Sequence, residues 1–205
     1  MRYEALLTLE RNQPNQFQVS SSEQLVQKFS RRNYLPILKD SVWKIHQGVV
    51  RTVHFQEDGT IISLGIWGAG EIVGHAISQL NSYFLECLTP VEAESISMNE
   101  VHRDSDLLLS QMHQLECLLC IRGCRRVEEM VVELLKFLSD KFGRVGSQGK
   151  ILDLRLTHQD IADILGTTRV TVTRIMQKLE ANGTIERISI RRIVLKDLDG
   201  WYYQI

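Results

Sequence analysis

The chain has 205 residues, 43% of them apolar and 24% charged, with a formal net charge of −1. That length holds one large or two modest domains with proper cores, and the mixed composition is that of a soluble globular protein with no charge-dictated partner. No run reaches the ~18 apolar residues of a membrane span, and polar residues follow Met1-Arg2-Tyr3-Glu4-Ala5-Leu6-Leu7, so a cytoplasmic protein without a membrane partner is expected.

Residues 1 to about 28 are polar and Gln/Asn-rich, with Pro14, a Ser20-Ser21-Ser22 run and weak helical spacing at 3–10 and 23–29. From Phe29 to Trp67 the pattern turns to strands. Val49, Arg51, Val53 and Phe55 alternate with Val50, Thr52 and His54; Glu57-Asp58-Gly59-Thr60 supplies a tight turn, and Ile62, Leu64 and Ile66 resume the alternation. Gly65, Gly68, Gly70 and Gly74 punctuate the next segment, and Val91 to Ile96 reads as a closing strand, which together predict an antiparallel roll or barrel.

From Asp104 to Gly123 a helix is predicted whose apolar residues Leu107, Leu108, Met112, Leu115, Leu118, Leu119 and Ile121 form too broad a surface to be left in water. Arg125 and Arg126 mark a hinge, and Val127 to Phe142 form a second helix with Met130, Val131, Leu134, Leu135 and Leu138 as its core stripe.

The stretch from Leu156 to Leu179 is the most informative. Thr157 is an N-cap for a helix whose face carries Ile161, Ala162, Ile164 and Leu165, and Gly166 ends it. Thr167 and Thr168 offer caps for a second helix with inward Val172, Ile175, Met176 and Leu179, closed by Gly183. Two short helices joined by a Gly turn, the second with a polar and basic outer face, describe a helix-turn-helix whose reading helix, at 168–182, enters the DNA major groove. Arg169 and Arg174 are the expected base readers, because a guanidinium matches guanine O6 and N7 bidentately; Val170 offers an apolar contact to a thymine methyl. Thr168, Thr171, Thr173 and Lys178 complete the expected DNA-binding set through phosphate and sugar contacts. Residues 184–190 and 192–195 alternate around Arg191 as a β-hairpin wing, with Arg187, Arg191 and Arg192 either near phosphates or simply exposed. Charge distribution agrees with this placement: residues 1–121 carry nine Lys/Arg against fourteen Asp/Glu, whereas 143–205 carry ten against seven. The tail Trp201-Tyr202-Tyr203 is expected to pack down.

The order Thr167-Thr168-Arg169-Val170-Thr171-Val172-Thr173-Arg174 resembles the helix-turn-helix of the cyclic-AMP-receptor/fumarate-nitrate (Crp/Fnr) superfamily of bacterial transcription regulators, nearest its cyanobacterial nitrogen-control branch. The resemblance extends in weaker form from about Ser41 to the C-terminus, with Gly48-Val49-Val50-Arg51 and Gly70-Glu71-Ile72-Val73-Gly74 at the roll's recurrent glycine positions and Lys141-Phe142-Gly143 ending a helix in the family manner. It implies an α+β protein: a β-roll of the cyclic-nucleotide-binding type at 1–103, a dimerisation helix and hinge at 104–126, and a winged helix-turn-helix at 127–205. It also implies a homodimer on double-stranded DNA, RNA polymerase as a partner, and a palindrome of GTA-like half-sites. One departure matters. Members that hold a cyclic nucleotide have an acidic residue and an Arg-Ser pair after the second glycine, whereas here His75 follows Gly74 and no Lys or Arg occurs from Thr52 to His102. A buried cyclic phosphate needs cations or many donors, so gating by a cyclic nucleotide is not expected, and no effector is named by the residues.

Cys117, Cys120 and Cys124 carry the alternative readings: a redox- or iron–sulfur-responsive regulator, or a thiol oxidoreductase. Positions i, i+3 and i+7 share one helical face, where free Cys behaves as a small apolar residue, and packing is the expectation. His46, His54 and His75 lack carboxylate or Cys partners at ligand spacing. No cofactor, no metal and no enzymatic site are therefore expected.

Overall fold

Runs of β-branched and aromatic residues build the N-terminal half as paired strands. A computed structural model describes residues 26–147, 149–189 and 192–196, and its N-terminal strands are β1 (Gln27–Phe29), β2 (Ser41–Gln47), β3 (Val50–Phe55), β4 (Ile61–Trp67), β5 (Ile72–Val73), β6 (Tyr83–Cys87) and β7 (Val91–Ser97). They make two antiparallel sheets of order β1-β7-β2-β5 and β4-β3-β6, packed around Trp43, Ile45, Val50, Trp67, Val73 and Leu85. The expected helix at 23–29 is corrected here: Gln27–Phe29 is a strand whose Phe29 lies opposite Val91. Its seven-residue helical spacing is too short to nucleate a helix against a ladder of backbone hydrogen bonds. The expected alternation of Ile62, Leu64 and Ile66 is interrupted, because a register shift near Leu64 leaves Ser63 and Ile66 buried while Ile62 and Leu64 are only half-buried.

Two helices follow. A short α1 (Met98–Arg103) forms on a capping box in which the Ser97 hydroxyl accepts from Glu100 N and the Glu100 carboxylate accepts from Ser97 N. The long α2 (Ser105–Arg122) buries Leu107, Gln114, Leu118 and Ile121 against its own chain. Its other apolar residues Leu108, Leu109, Met112, Leu115 and Leu119 stay 36% to 69% exposed.

Past Gly123 to Arg126 the chain forms α3 (Val127–Phe142), the hairpin β8 (Gly143–Gly146) and β9 (Gly149–Leu152), α4 (His158–Leu165), α5 (Arg169–Ala181), and β10 (Ile185–Ser189) with β11 (Arg192–Leu195). The last four strands form one antiparallel sheet of order β10-β11-β9-β8, so the wing is backed by a hairpin that alternation alone did not reveal. Val131, Leu134, Leu135 and Leu138 of α3 share a single buried cluster with Ile161 and Ile164 of α4, Val172 and Met176 of α5, and Val49, Ile66 and Leu88 of the strand-built half. The two halves therefore meet through a continuous apolar core.

Polar ties reinforce that junction. Lys141 Nζ donates to the Ile66 carbonyl at 2.9 Å, to Glu71 at 2.8 Å and to Gln114 Oε1, and lies 5.5 to 5.7 Å from the ring centroids of Trp67, Phe137 and Phe142. Burial lowers the Lys141 pKa, with Glu71 opposing the shift. Arg122, at the end of α2, donates to the carbonyls of Ile164 and Ser63. No helix among the described residues is long and apolar enough to cross a membrane. The tail Trp201-Tyr202-Tyr203, the helical spacing at 3–10 and Arg191 lie outside the described residues.

Gly166 sets the angle between α4 and α5 from a left-handed backbone at φ +67° with nothing within 4 Å of where a Cβ would sit. Gly166→Ala should thus cost about 1–2 kcal/mol through backbone strain alone, and Gly166→Asn less, read from urea unfolding; equal stability of Ala and Gly proteins would refute that account.

Candidate nucleic-acid interface

Local chemistry fixes the two helices before any ligand is considered. Thr157 caps α4 by accepting from Asp160 N at 3.1 Å, and the Asp160 carboxylate returns by accepting from Thr157 N at 2.8 Å. Ile161, Ala162, Ile164 and Leu165 are all buried, as are Val172, Ile175, Met176 and Leu179 on α5. Thr168 caps α5 by accepting from Thr171 N at 3.2 Å. The first turn of α5 carries no acidic residue, so its positive dipole end is left available to an anion such as a phosphate.

The seven expected contact residues divide by what already occupies them. Arg169, Val170 and Arg174 are exposed, Val170 to 77%, and neither guanidinium has a hydrogen bond or ion pair among the described residues. Thr168 and Thr171 bond each other at 2.9 Å. Thr173 Oγ1 donates to the Arg169 carbonyl at 2.8 Å, an intrahelical bond. Lys178 Nζ turns to Glu128 of α3 at 2.6 Å, beside a cavity of about 610 Å³ lined in part by Ile121, Val132 and Leu179. The open reading set is thus narrower than the pattern of hydroxyls and cations suggested. One further exposed polar residue lies outside the expected set: Gln177 is on α5, seven positions after Val170 and on its face, and carries a carboxamide of the kind that can pair with adenine. Helical periodicity counted from Val170 would have found it.

A chain of hydrogen bonds joins α4, α5 and the wing. Arg187 Nη2 lies 3.0 Å from His158 Nε2, and His158 Nδ1 lies 2.8 Å from Thr173 Oγ1. A guanidinium only donates, so Nε2 must accept; the Thr173 proton already points at the Arg169 carbonyl, so Nδ1 carries the imidazole hydrogen. His158 is therefore neutral. Its pKa is lowered by burial first and by the charges of Arg187 and Arg169 next. Arg187 also pairs with Glu180 at 3.0 Å, and Arg192 with Asp153 at 2.8 Å, so both described wing arginines are tied to the protein's own carboxylates.

The cysteine packing expectation needs correction. Cys117 and Cys120 are exposed, and Cys124 lies past Gly123, beyond the end of α2, so the three do not share a buried face. Burial, with Glu133 and Glu129 nearby, raises the Cys124 pKa, which disfavours a thiolate. Cys87 is buried, its thiol pushed up to about 12 by burial and by Glu86. No group of three or more His, Cys, Asp or Glu residues suited to a metal occurs among the described residues.

Comparison with known proteins agrees with this geometry. The Crp-like helix-turn-helix domain family matches residues 126–200. The chain is 40% identical over 160 residues to the regulatory protein CysR of Synechococcus elongatus, covering 77% of each. It is 29% identical over 160 residues to the global nitrogen regulator of Synechocystis sp., covering 65% of this chain and 71% of the relative. Among solved structures, a CRP-family transcriptional regulator of Thermus thermophilus superposes with a TM-score of 0.71 at 22% identity, covering 84% of this chain and 92% of that one. A mutant CooA of Carboxydothermus hydrogenoformans gives 0.68 at 22% identity over 91% and 93%. At those identities the structural likeness concerns the fold.

The neutral His158 has a pH consequence. Its folded pKa lies below the ordinary 6.5, so under about pH 6.5 the unfolded chain binds more protons and stability falls with acidification. Urea unfolding at about pH 7.5 and about pH 5.5 should show a larger loss for the parent than for His158→Gln; equal losses would contradict the assigned tautomer.

Proposed function

Because the chain belongs to the Crp/Fnr family of transcription regulators, we propose that it works as a homodimer reading a palindromic DNA site through α5, without gating by a cyclic nucleotide. The observation that carries this reading is the exposed, unpartnered pair Arg169 and Arg174 flanking Val170 on the outward side of α5. The two guanidinia supply guanine recognition, Val170 an apolar contact to thymine, and Gln177 a third reading group; Thr168 and Thr171 hold the helix end against phosphate. The family resemblance favours GTA-like half-sites.

Exposed Leu108, Met112, Leu115 and Leu119 support the dimer. They recur at steps of four, three and four, the seam of a two-stranded coiled coil, and a second copy of α2 is the surface that matches it. Two heads so joined would contact half-sites one DNA turn apart, about 34–36 Å. In this proposal residues 1–103 form the roll, 104–126 the dimer helix and hinge, and 127–205 the reading head; the protein acts in the cytoplasm, with RNA polymerase as its downstream partner. Two observations support independence from cyclic nucleotides: the roll has no Lys or Arg from Thr52 to His102, and Lys141 already neutralises Glu71.

Fluorescence anisotropy with a palindromic GTA-type duplex tests the reading. Arg169→Ala should lose about 1–3 kcal/mol of discrimination against a substituted guanine while keeping non-specific, salt-sensitive binding. Met112→Glu should shift the protein to monomer in sedimentation and weaken the palindrome far more than a single half-site. Retained base preference in the first variant, or an unchanged dimer in the second, would overturn the corresponding assignment.

A further inference from the structure

A five-charge cluster lies where the roll meets the helix-turn-helix, outside the DNA-reading face. Arg51, the second residue of β3, the central strand of its sheet, and Glu86 on β6 are only 1% and 5% exposed. Arg51 Nη2 donates to Glu86 Oε2 at 2.5 Å, and its guanidinium lies 3.5 Å from Asp163 and 3.8 Å from Asp160, both on α4. Arg32, between β1 and β2, completes the cluster: Nη1 donates to Glu86 at 2.6 Å, and Nη1 and Nη2 fork onto the two oxygens of Asp160 at 3.0 and 2.7 Å. Burial pushes Asp160 upward, but the Arg32 fork, the Thr157 amide and nearby Arg51 outweigh it and hold the carboxyl below its ordinary range.

Arg32 is held there against local preference. Among the described residues it is the one non-glycine with a left-handed backbone, at φ +71°, and its amide donates to the Cys87 carbonyl at 2.8 Å. Strain kept in place by surrounding bonds marks a position whose geometry is over-determined. Asp160 meanwhile has two duties: it closes the capping box of α4 and takes the guanidinium fork. The start of the helix that carries the reading helix is thereby tied to the roll through one carboxylate.

We propose that Arg32 is a positioning residue: its bidentate bond to Asp160, backed by Arg51, Glu86 and Asp163, is a latch that fixes the orientation of the DNA-reading half on the roll. This deepens the palindrome reading and rests on it. Buried ion pairs add little net stability, but a planar fork between two carboxylate oxygens sets an angle that a point charge does not. The latched arrangement leaves Arg169, Val170 and Arg174 in open solvent, so the latch prepares the reading face rather than masking it. In a dimer, fixed heads make affinity depend on the separation and rotation of the half-sites.

Arg32→Lys is the discriminating variant, because it keeps the charge beside Glu86 and Asp160 and removes the fork; the Arg32 side chain is 27% exposed, so water reaches the altered bond. Binding is measured by anisotropy to the palindrome, to the same half-sites moved apart by two base pairs (about a fifth of a turn), and to the palindrome with one substituted guanine. The latch requires that Arg32→Lys keep the parent's circular dichroism and guanine discrimination while its preference for correct spacing falls at least about fivefold, the usual scale of coupling between sites. An unchanged spacing preference in Arg32→Lys overturns the latch alone. Absence of any spacing preference in the parent overturns both the palindrome reading and the latch. Should Arg32→Lys fail to fold, Asp163→Asn, which removes one carboxylate charge beside Arg51 at almost constant shape, must lower the same spacing ratio, and an unaltered ratio there overturns the proposal.

Discussion

A guanidinium cannot sit at the centre of a sheet without anions close by, and the position of Arg51 imposes that condition on everything around it. Its charge cannot be neutralised by proton loss, so carboxylates must reach it. One comes from the neighbouring strand as Glu86, and the others, Asp160 and Asp163, come from a helix more than a hundred residues away in sequence. Docking of α4 against this sheet adds the two aspartates to Glu86, so a single buried charge couples the position of the reading head to the completion of the roll. The apolar cluster running from Ile66 and Leu88 to Ile161 and Ile164 contributes the free energy of that docking, and the charges select its geometry.

The same economy of partners shapes the reading helix. Short hydroxyls at its start are consumed by capping and by the hydrogen bond to His158, and Lys178 is consumed by Glu128. The side chains that remain in solvent are long: two arginines and a glutamine, with one valine between them. Long side chains on an otherwise satisfied helix can cross the distance to base edges without stripping the helix of its own bonds, which is why the inward bonds of Thr173 and the outward reach of Arg174 are compatible on adjacent residues.

Sequence rules located the parts governed by local chemistry. Thr157, Gly166, Thr168 and Gly183 act as caps or left-handed turns within a few residues of the groups they satisfy, and α3 runs from Val127 to Phe142 as its apolar stripe predicted. Features set by distant partners escaped. Gln27–Phe29 is a strand because Val91 to Ala93 lies beside it; the register shift near Leu64 arises from pairing with β3; and β8 and β9 are held by β11. Arg51 looked like an ordinary alternating strand residue, since nothing in its own stretch announces the two aspartates that bury it. The exposed Cys117 and Cys120 escaped for a related reason: helical spacing says which residues share a face, not which face meets the core.

Helix α2 shows how these constraints combine. One face, with Leu107, Leu118 and Ile121, is committed to its own chain, while Leu108, Met112, Leu115 and Leu119 form a second apolar line that the same chain leaves uncovered. The helix ends in Arg122, whose guanidinium reaches the Ser63 carbonyl of the roll and the Ile164 carbonyl of α4 together. Any partner seated on the uncovered line therefore meets a rod already pinned to both the roll and the reading head. Four residues separate α2 from α3, a link that would ordinarily leave the head free to swing, yet Arg122, Lys141 and the Arg32 fork bridge across it. In the proposed dimer the spacing of the two reading helices is then a property of the buried polar contacts rather than of the hinge, and substitutions inside the roll would alter DNA recognition without touching DNA.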